Sequence, residues 1–214
     1  MGRSAVVFDM DGVLVDNTEI HIDAFVIYCK RYGMDMKREM LRPFFGMGND
    51  DIFPAIFNKK FTPSEIAVMA EEKELIYRDI FASKIKPQNG LIKILEDLKA
   101  KGIKMAVGSS AMRKNVDFVL DKCGIGGYFD AISCGDMISK AKPDPEVFVL
   151  AASLLGVKTT DCVVIEDAFA GVKAARAIGS RVVVLTTTYP RDQHTDFDVL
   201  IDDFTQITAD ELLG

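Results

Sequence analysis

Five short runs of apolar, largely β-branched residues recur along this chain, at 5–8, 103–107, 131–134, 162–165 and 181–185. Each is continuous rather than alternating. A strand with one wet face alternates apolar and polar residues, so continuous runs imply strands buried on both faces. Helical patterns lie between them. Residues 91–101 place Leu91, Ile94, Leu95 and Leu98 on one face after an Asn89-Gly90 turn. Asp144-Pro145 reads as an N-cap followed by a first-turn proline, with Gly156 closing that helix. Residues 168–178 read as another helix, ended by Gly179. Strand and helix in alternation predict a doubly wound α/β domain on a parallel sheet.

The stretch from 16 to 86 interrupts the alternation. It reads as helix after helix, without a convincing strand. Residues 17–32 carry Ile20, Ala24, Ile27 and Tyr28 at helical spacing. Thr62-Pro63-Ser64-Glu65 is a capping box that opens a helix toward Phe81. The expected organisation is a core of residues 1–15 and 87–214 with a small helical domain, 16–86, inserted into it.

Composition narrows the class. Of 214 residues 49% are hydrophobic and 27% charged, enough to bury a core. The formal net charge of -6 argues against a nucleic-acid partner, because a phosphate backbone needs clustered Lys and Arg. A small phosphorylated ligand remains open, since a local positive pocket can sit in an acidic protein. Cys29, Cys123, Cys134 and Cys162 stand in apolar stretches with no C-x-x-C pair, and read as small buried residues. With no signal-peptide pattern and no span-length apolar run, the expectation is a cytoplasmic protein without a membrane partner. Oligomeric state is not written in the sequence.

Chemistry gathers at the ends of the strand-like runs, where open α/β sheets bind their ligands. The first run ends in Asp9-Met10-Asp11-Gly12 and the fourth in Glu166-Asp167. Paired carboxylates repel unless a cation joins them. Without a His or Cys ligand set, the fitting cation is a hard one such as Mg²⁺. The second run ends in Gly108-Ser109-Ser110, where hydroxyls at a helix start could hold an anion. Lys142, fixed beside Pro143, could place a point charge on a phosphate. Each has a plainer reading: a solvated turn, a helix cap at Asp167 or at the serines, a loop lysine. Their order and their common placement at strand ends favour the chemical one.

With those four motifs in that order, the chain resembles the haloacid-dehalogenase superfamily of phosphotransferases over nearly its whole length. The resemblance implies a Rossmann-like core with an inserted helical cap domain. It implies Asp9 as a nucleophile forming an aspartyl-phosphate, and Asp11 as general acid/base. Ser109, Ser110 and Lys142 would hold the transferring phosphoryl group. Asp9, Asp11 (through its carbonyl), Glu166 and Asp167 would hold Mg²⁺. A true dehalogenase lacks the second aspartate, so Asp11 points to phosphoryl chemistry.

Within the superfamily the chain is most similar to the β-phosphoglucomutase-like branch. Glu19-Ile20-His21 matches that branch's cap-entry segment, and Lys73 matches a cap lysine that meets substrate. Where the branch grips a distal phosphate with a cap arginine, this sequence has Asn49, after Gly46-Met47-Gly48. Where it offers a lysine and an asparagine after the serines, this sequence has Met112 and Arg113, of which Arg113 is the candidate substitute. The leading expectation is therefore a phosphatase for a small phosphorylated metabolite such as a sugar phosphate. The alternatives are a β-phosphoglucomutase, and, more remotely, a non-catalytic metabolite-binding protein.

Overall fold

The structure, a computed structural model, describes residues 3–41, 44 and 49–214. Six strands form one parallel sheet in the order β3-β2-β1-β4-β5-β6. They are β1 (Ala5–Phe8), β2 (Lys104–Gly108), β3 (Ala131–Ser133), β4 (Cys162–Glu166), β5 (Arg181–Leu185) and β6 (Val199–Ile201). The fold is the expected Rossmann-like α/β core. Five strands fall where the apolar runs are. The sixth, only three residues long between acidic neighbours, was not foreseen.

The chain divides into two compact units, Met1–Asp16 with Lys86–Gly214, and Asn17–Ile85. In the larger unit every residue of β1 and β4 is buried, consistent with a central position in a sheet covered on both faces. Val7, Ala106, Val164 and Val184 point to one side and pack with Val147, Phe148 and Ala151. Those three belong to α7 (Glu146–Leu155), which lies against β1, β2 and β3.

The order places β1 between β2 and β4, so chain direction across the sheet reverses there. Crevices at such switch points, beyond the carboxyl ends of the strands, are where ligands bind. Register makes this concrete: Phe8 pairs with Val107 on one side and Ile165 on the other. The residues that follow, Asp9, Gly108 and Glu166, therefore share one edge.

The smaller unit is helical among its described residues: α1 (Thr18–Arg31), α2 (Arg38–Leu41), α3 (Asn49–Phe57) and α4 (Pro63–Phe81). The capping box is present, with the Thr62 hydroxyl accepting from the Glu65 amide and the Glu65 carboxylate accepting from the Thr62 amide at 2.7 Å. The buried side of α1 is Ile22, Ala24, Phe25, Tyr28 and Cys29, whereas Ile27 is exposed. The apolar stripe is thus rotated from the one the sequence suggested, because aromatic packing of Phe25 and Tyr28 on Phe53 sets the inward face. The Gly46-Met47-Gly48 stretch lies outside the described residues.

The remaining helices are α5 (Leu91–Ala100), α6 (Arg113–Lys122), α8 (Phe169–Ala177) and α9 (Ala209–Leu213). Three cysteines are buried and Cys123 is half-buried, all as free thiols. Among the described residues, no helix is long and apolar enough to cross a membrane.

Candidate active site

Asp9 stands one residue beyond β1, its amide donating to the Ile165 carbonyl at 2.9 Å. This ladder bond continues the sheet and fixes where the carboxylate projects. The Lys142 ammonium donates to Asp9 Oδ1 at 2.6 Å and to Glu166 Oε1 at 2.7 Å. Glu166 ends β4, and its other oxygen, Oε2, accepts from the Asp167 and Ala168 amides at 2.9 and 3.0 Å. Both Glu166 oxygens are therefore tied to protein donors. Asp167 Oδ2 accepts from the Thr188 hydroxyl, with Thr187 Oγ1 3.3 Å away.

Asp9, Glu166 and Asp167 are all buried, and each offers an oxygen within 4.8 Å of the others. Fully ionised, three carboxylates against one ammonium would leave two net negative charges at this spot. Burial pushes Asp9 up to about 7 despite the Lys142 charge, with Glu166 and Asp11 adding to the rise. Burial, then the Glu166 and Asp9 charges, raise Asp167 well above the usual carboxylate range. Burial alone would lower Lys142, but the Asp9 and Glu166 charges outweigh it and hold the ammonium protonated. Buried acids that repel one another fit a bound cation, and an all-oxygen donor set fits a hard divalent one.

Two glycines make room for these acids. Gly12 has φ +78°, and a Cβ there would come within 1.9 Å of Asp167 Oδ2. A Cβ on Gly171, inside α8, would come within 1.7 Å of Glu166 Oε1. Backbone therefore closes around both carboxylates where a side chain would displace them.

Asp11, half-buried, lies in the turn after β1 and makes a bridge to Val15. Ser109 is buried beyond β2; its amide donates to the Ser133 carbonyl at 3.0 Å and its hydroxyl accepts from the Ala111 amide at 3.1 Å. Ser110 is exposed. The helix here begins only at Arg113, with Met112 at the cap, so neither serine caps it. Similarly Ala168, not Asp167, is the cap residue of α8. Arg113 points along its own helix to Asp117, at 2.8 Å, with its side chain 51% exposed.

The smaller unit gathers two of its expected residues. Lys73 Nζ lies 3.2 Å from His21 Nδ1, pairs with Glu74, and sits 4.7 Å from the Phe25 ring centroid. The His21 ring stacks on Tyr77 at 4.0 Å, and the Tyr77 hydroxyl accepts from Asn17 at 2.7 Å. Asn49 opens α3 and is half-buried.

The sequence reading passed over Thr187 and Thr188. They follow the end of β5 by two and three residues, at the same sheet edge; the strand-end rule that found the acids would have found them. It also passed over Glu146. This carboxylate accepts from the Ser139 amide at 3.0 Å, the Ser139 hydroxyl at 2.8 Å and the Lys140 amide at 2.9 Å, pinning the loop that carries Lys142.

Known proteins resemble this chain in sequence and fold. A 31% identical relative is the β-phosphoglucomutase of Bacillus subtilis, matched over 82% of this chain and 80% of that protein. The phosphorylated carbohydrates phosphatase of Thermotoga maritima is 29% identical, over 82% of this chain and 81% of its own. The chain also spans 18% of the length of the Arabidopsis thaliana protein SUPPRESSOR OF QUENCHING 1, chloroplastic, at 38% identity. In crystal structures, CbbY of Rhodobacter sphaeroides, in a mutant form with xylulose-(1,5)bisphosphate, superposes with a TM-score of 0.86 at 27% identity, covering 95% of this chain and 96% of its own. The family model for haloacid dehalogenase-like hydrolases matches residues 6–185. This chain belongs to the haloacid dehalogenase-like hydrolase family.

Proposed function

We propose that this chain is a Mg²⁺-dependent phosphatase that cleaves a small sugar phosphate through an aspartyl-phosphate on Asp9. The observation that carries the reading is the buried Asp9 carboxylate held by Lys142 beside Glu166 and Asp167. Phosphate-monoester hydrolysis is so slow uncatalysed that a nucleophile, a cation and oriented charges must act together.

In this reading Asp9 attacks phosphorus and the bond to the leaving oxygen breaks. Asp11 gives that oxygen its proton, then takes one from water as the water cleaves the acyl phosphate. Lys142, Ser109 and Ser110 hold the phosphoryl oxygens. Asp9, Asp167, the Asp11 carbonyl and, once Lys142 turns from it to the phosphoryl group, Glu166 Oε1 would hold Mg²⁺, which would supply charge neutralisation for the phosphoryl group in flight. Residues 17–85 serve as a cap that selects the leaving group, through His21, Lys73 and Asn49. The relative named for phosphorylated carbohydrates, and the bisphosphate in the CbbY structure, support a sugar phosphate as substrate.

The 31% identity to a β-phosphoglucomutase keeps mutase activity as a second reading. It ranks lower because Asn49 is neutral and Arg113 is engaged with Asp117. A lost charged hydrogen bond costs about 1.5–3 kcal/mol, or one to two decades in distal-phosphate affinity.

The test is released phosphate from a panel of phosphorylated metabolites, with and without Mg²⁺, beside isomerisation of β-glucose 1-phosphate with a bisphosphate primer. Hydrolysis of hexose phosphates should exceed isomerisation and stop in chelator. Full turnover in excess chelator overturns the metal assignment, and efficient primer-dependent isomerisation reverses the ranking.

A further inference from the structure

We propose that Thr188, assisted by Thr187, is a positioning residue that makes Asp167 a one-oxygen ligand and so biases the acidic site toward Mg²⁺ over Ca²⁺. The inference rests on the reading of that site as a divalent-cation centre.

Asp167 Oδ2 is enclosed from two directions. From the β5 side, the Thr188 hydroxyl donates to it. Thr187 Oγ1 lies 3.3 Å from the same oxygen and donates to the Gly12 carbonyl at 2.7 Å. From the β1 side, the Gly12 backbone comes so close that an added Cβ would sit 1.9 Å from Oδ2 and 2.5 Å from Cγ. Oδ1 is not among the three atoms nearest that point, the third being Thr187 Oγ1 at 3.1 Å. Oδ2 thus faces the threonines and the glycine turn, and Oδ1 faces away from them. The Thr187 bond also ties the turn that carries Asp11 to the end of β5, so one threonine pair fixes two walls of the site.

The consequence follows from how the two cations use carboxylates. Ca²⁺ takes six to eight oxygens and readily accepts both oxygens of one carboxylate. Mg²⁺ demands a compact octahedron and is satisfied by one oxygen per carboxylate. A carboxylate whose second oxygen is held by a hydroxyl suits the smaller ion. Partners that orient a ligand in this way typically change metal affinity by about 10–100-fold when removed.

The experiment is calorimetric titration of Mg²⁺ and, separately, Ca²⁺ into the substrate-free protein, its Thr188→Val variant and its Thr188→Ser variant. Thr188→Val should weaken Mg²⁺ binding by about tenfold and Ca²⁺ binding less, shrinking the preference; Thr188→Ser should keep both affinities. If the valine variant does not fold, Thr188→Ala carries the same comparison. An unchanged ratio, or an equal loss of both cations, overturns the inference while the proposed function stands. Wild-type protein that binds neither cation overturns the proposed function and the inference together.

Discussion

At the residue scale, buried acids set the behaviour of the site. Asp9→Asn should abolish turnover, because an amide cannot serve as the nucleophile, and Asp11→Asn should slow it by about 10²-fold or more. Steady-state phosphate release checks both, and near-normal turnover by Asp9→Asn would exclude the covalent route. The raised acids also predict a pH signature. In the metal-free protein Asp9 is pushed up to about 7 from an ordinary 3.8, and Asp167 is raised too. Between about pH 4 and pH 7 the folded protein holds protons that the unfolded chain has released, so its stability falls as pH rises through that window. On the proposed function, Mg²⁺ would bind the ionised form and oppose that loss. Thermal unfolding should therefore show a larger Mg²⁺-induced rise in Tm at pH 8 than at pH 5; equal rises would show that these acids are not the ligands. Gly171 offers a third test. Alanine in a helix interior ordinarily stabilises by up to about 1 kcal/mol relative to glycine. Here the new Cβ would meet a Glu166 carboxylate that Lys142 and two amides hold in place, so a net loss of about 1–3 kcal/mol is expected by chemical denaturation.

At the scale of elements, the loop before α7 decides where Lys142 stands. Glu146, at the first position of that helix, reaches back to residues 139 and 140, and Asp144 Oδ1 accepts from the Glu146 amide at 3.1 Å. Lys142 is thus held between two anchored points. Glu146→Ala should free the loop and lower turnover by up to about 10²-fold, as misplacing a reacting group does, while Mg²⁺ affinity stays near wild type. Parallel loss of Mg²⁺ binding in a titration would show that the loop supports the whole site instead. The strands were legible in the sequence because continuous apolar runs have one structural use in a chain of this kind. The acids were legible because strand ends are where α/β sheets work. β6 was not, since three residues between aspartates carry no periodicity. Two helix starts were misjudged by one to a few residues: Pro145 sits at the cap instead of in the first turn, and α6 starts at Arg113 instead of at the serines. Ser109, Asp167 and Asp144 are all good capping types, and which neighbour each side chain bonds is settled by tertiary partners that single-sequence patterns do not contain. The same holds for Arg113, whose turn toward Asp117 depends on a local ion pair.

At the scale of the whole molecule, the chain leaves the larger unit after Asp16 and returns at Lys86. Its two ends are neighbours within that unit, where the Gln88 amide donates to the Leu14 carbonyl at 2.9 Å. All six strands, Asp9, Asp11, Ser109, Lys142 and the Glu166-Asp167 pair belong to the larger unit, while His21, Lys73 and Asn49 belong to the smaller one. On the proposed function, chemistry and selection are encoded in separate stretches, and joining Asp16 to Lys86 by a short Gly-Ser linker separates them physically. Insertions at closely spaced ends are tolerated because closing a short loop costs little entropy. The shortened protein should unfold cooperatively and bind Mg²⁺ as the full chain does. It should keep slow hydrolysis of a small activated ester such as acetyl phosphate, and lose its preference among hexose phosphates. His21→Ala in the full chain should reproduce part of that loss, lowering hexose-phosphate turnover without weakening Mg²⁺. Circular dichroism, calorimetry and the same substrate panel read these outcomes. A shortened protein that folds and still ranks hexose phosphates as the full chain does would place selection in the larger unit, on residues beyond β2 and β5.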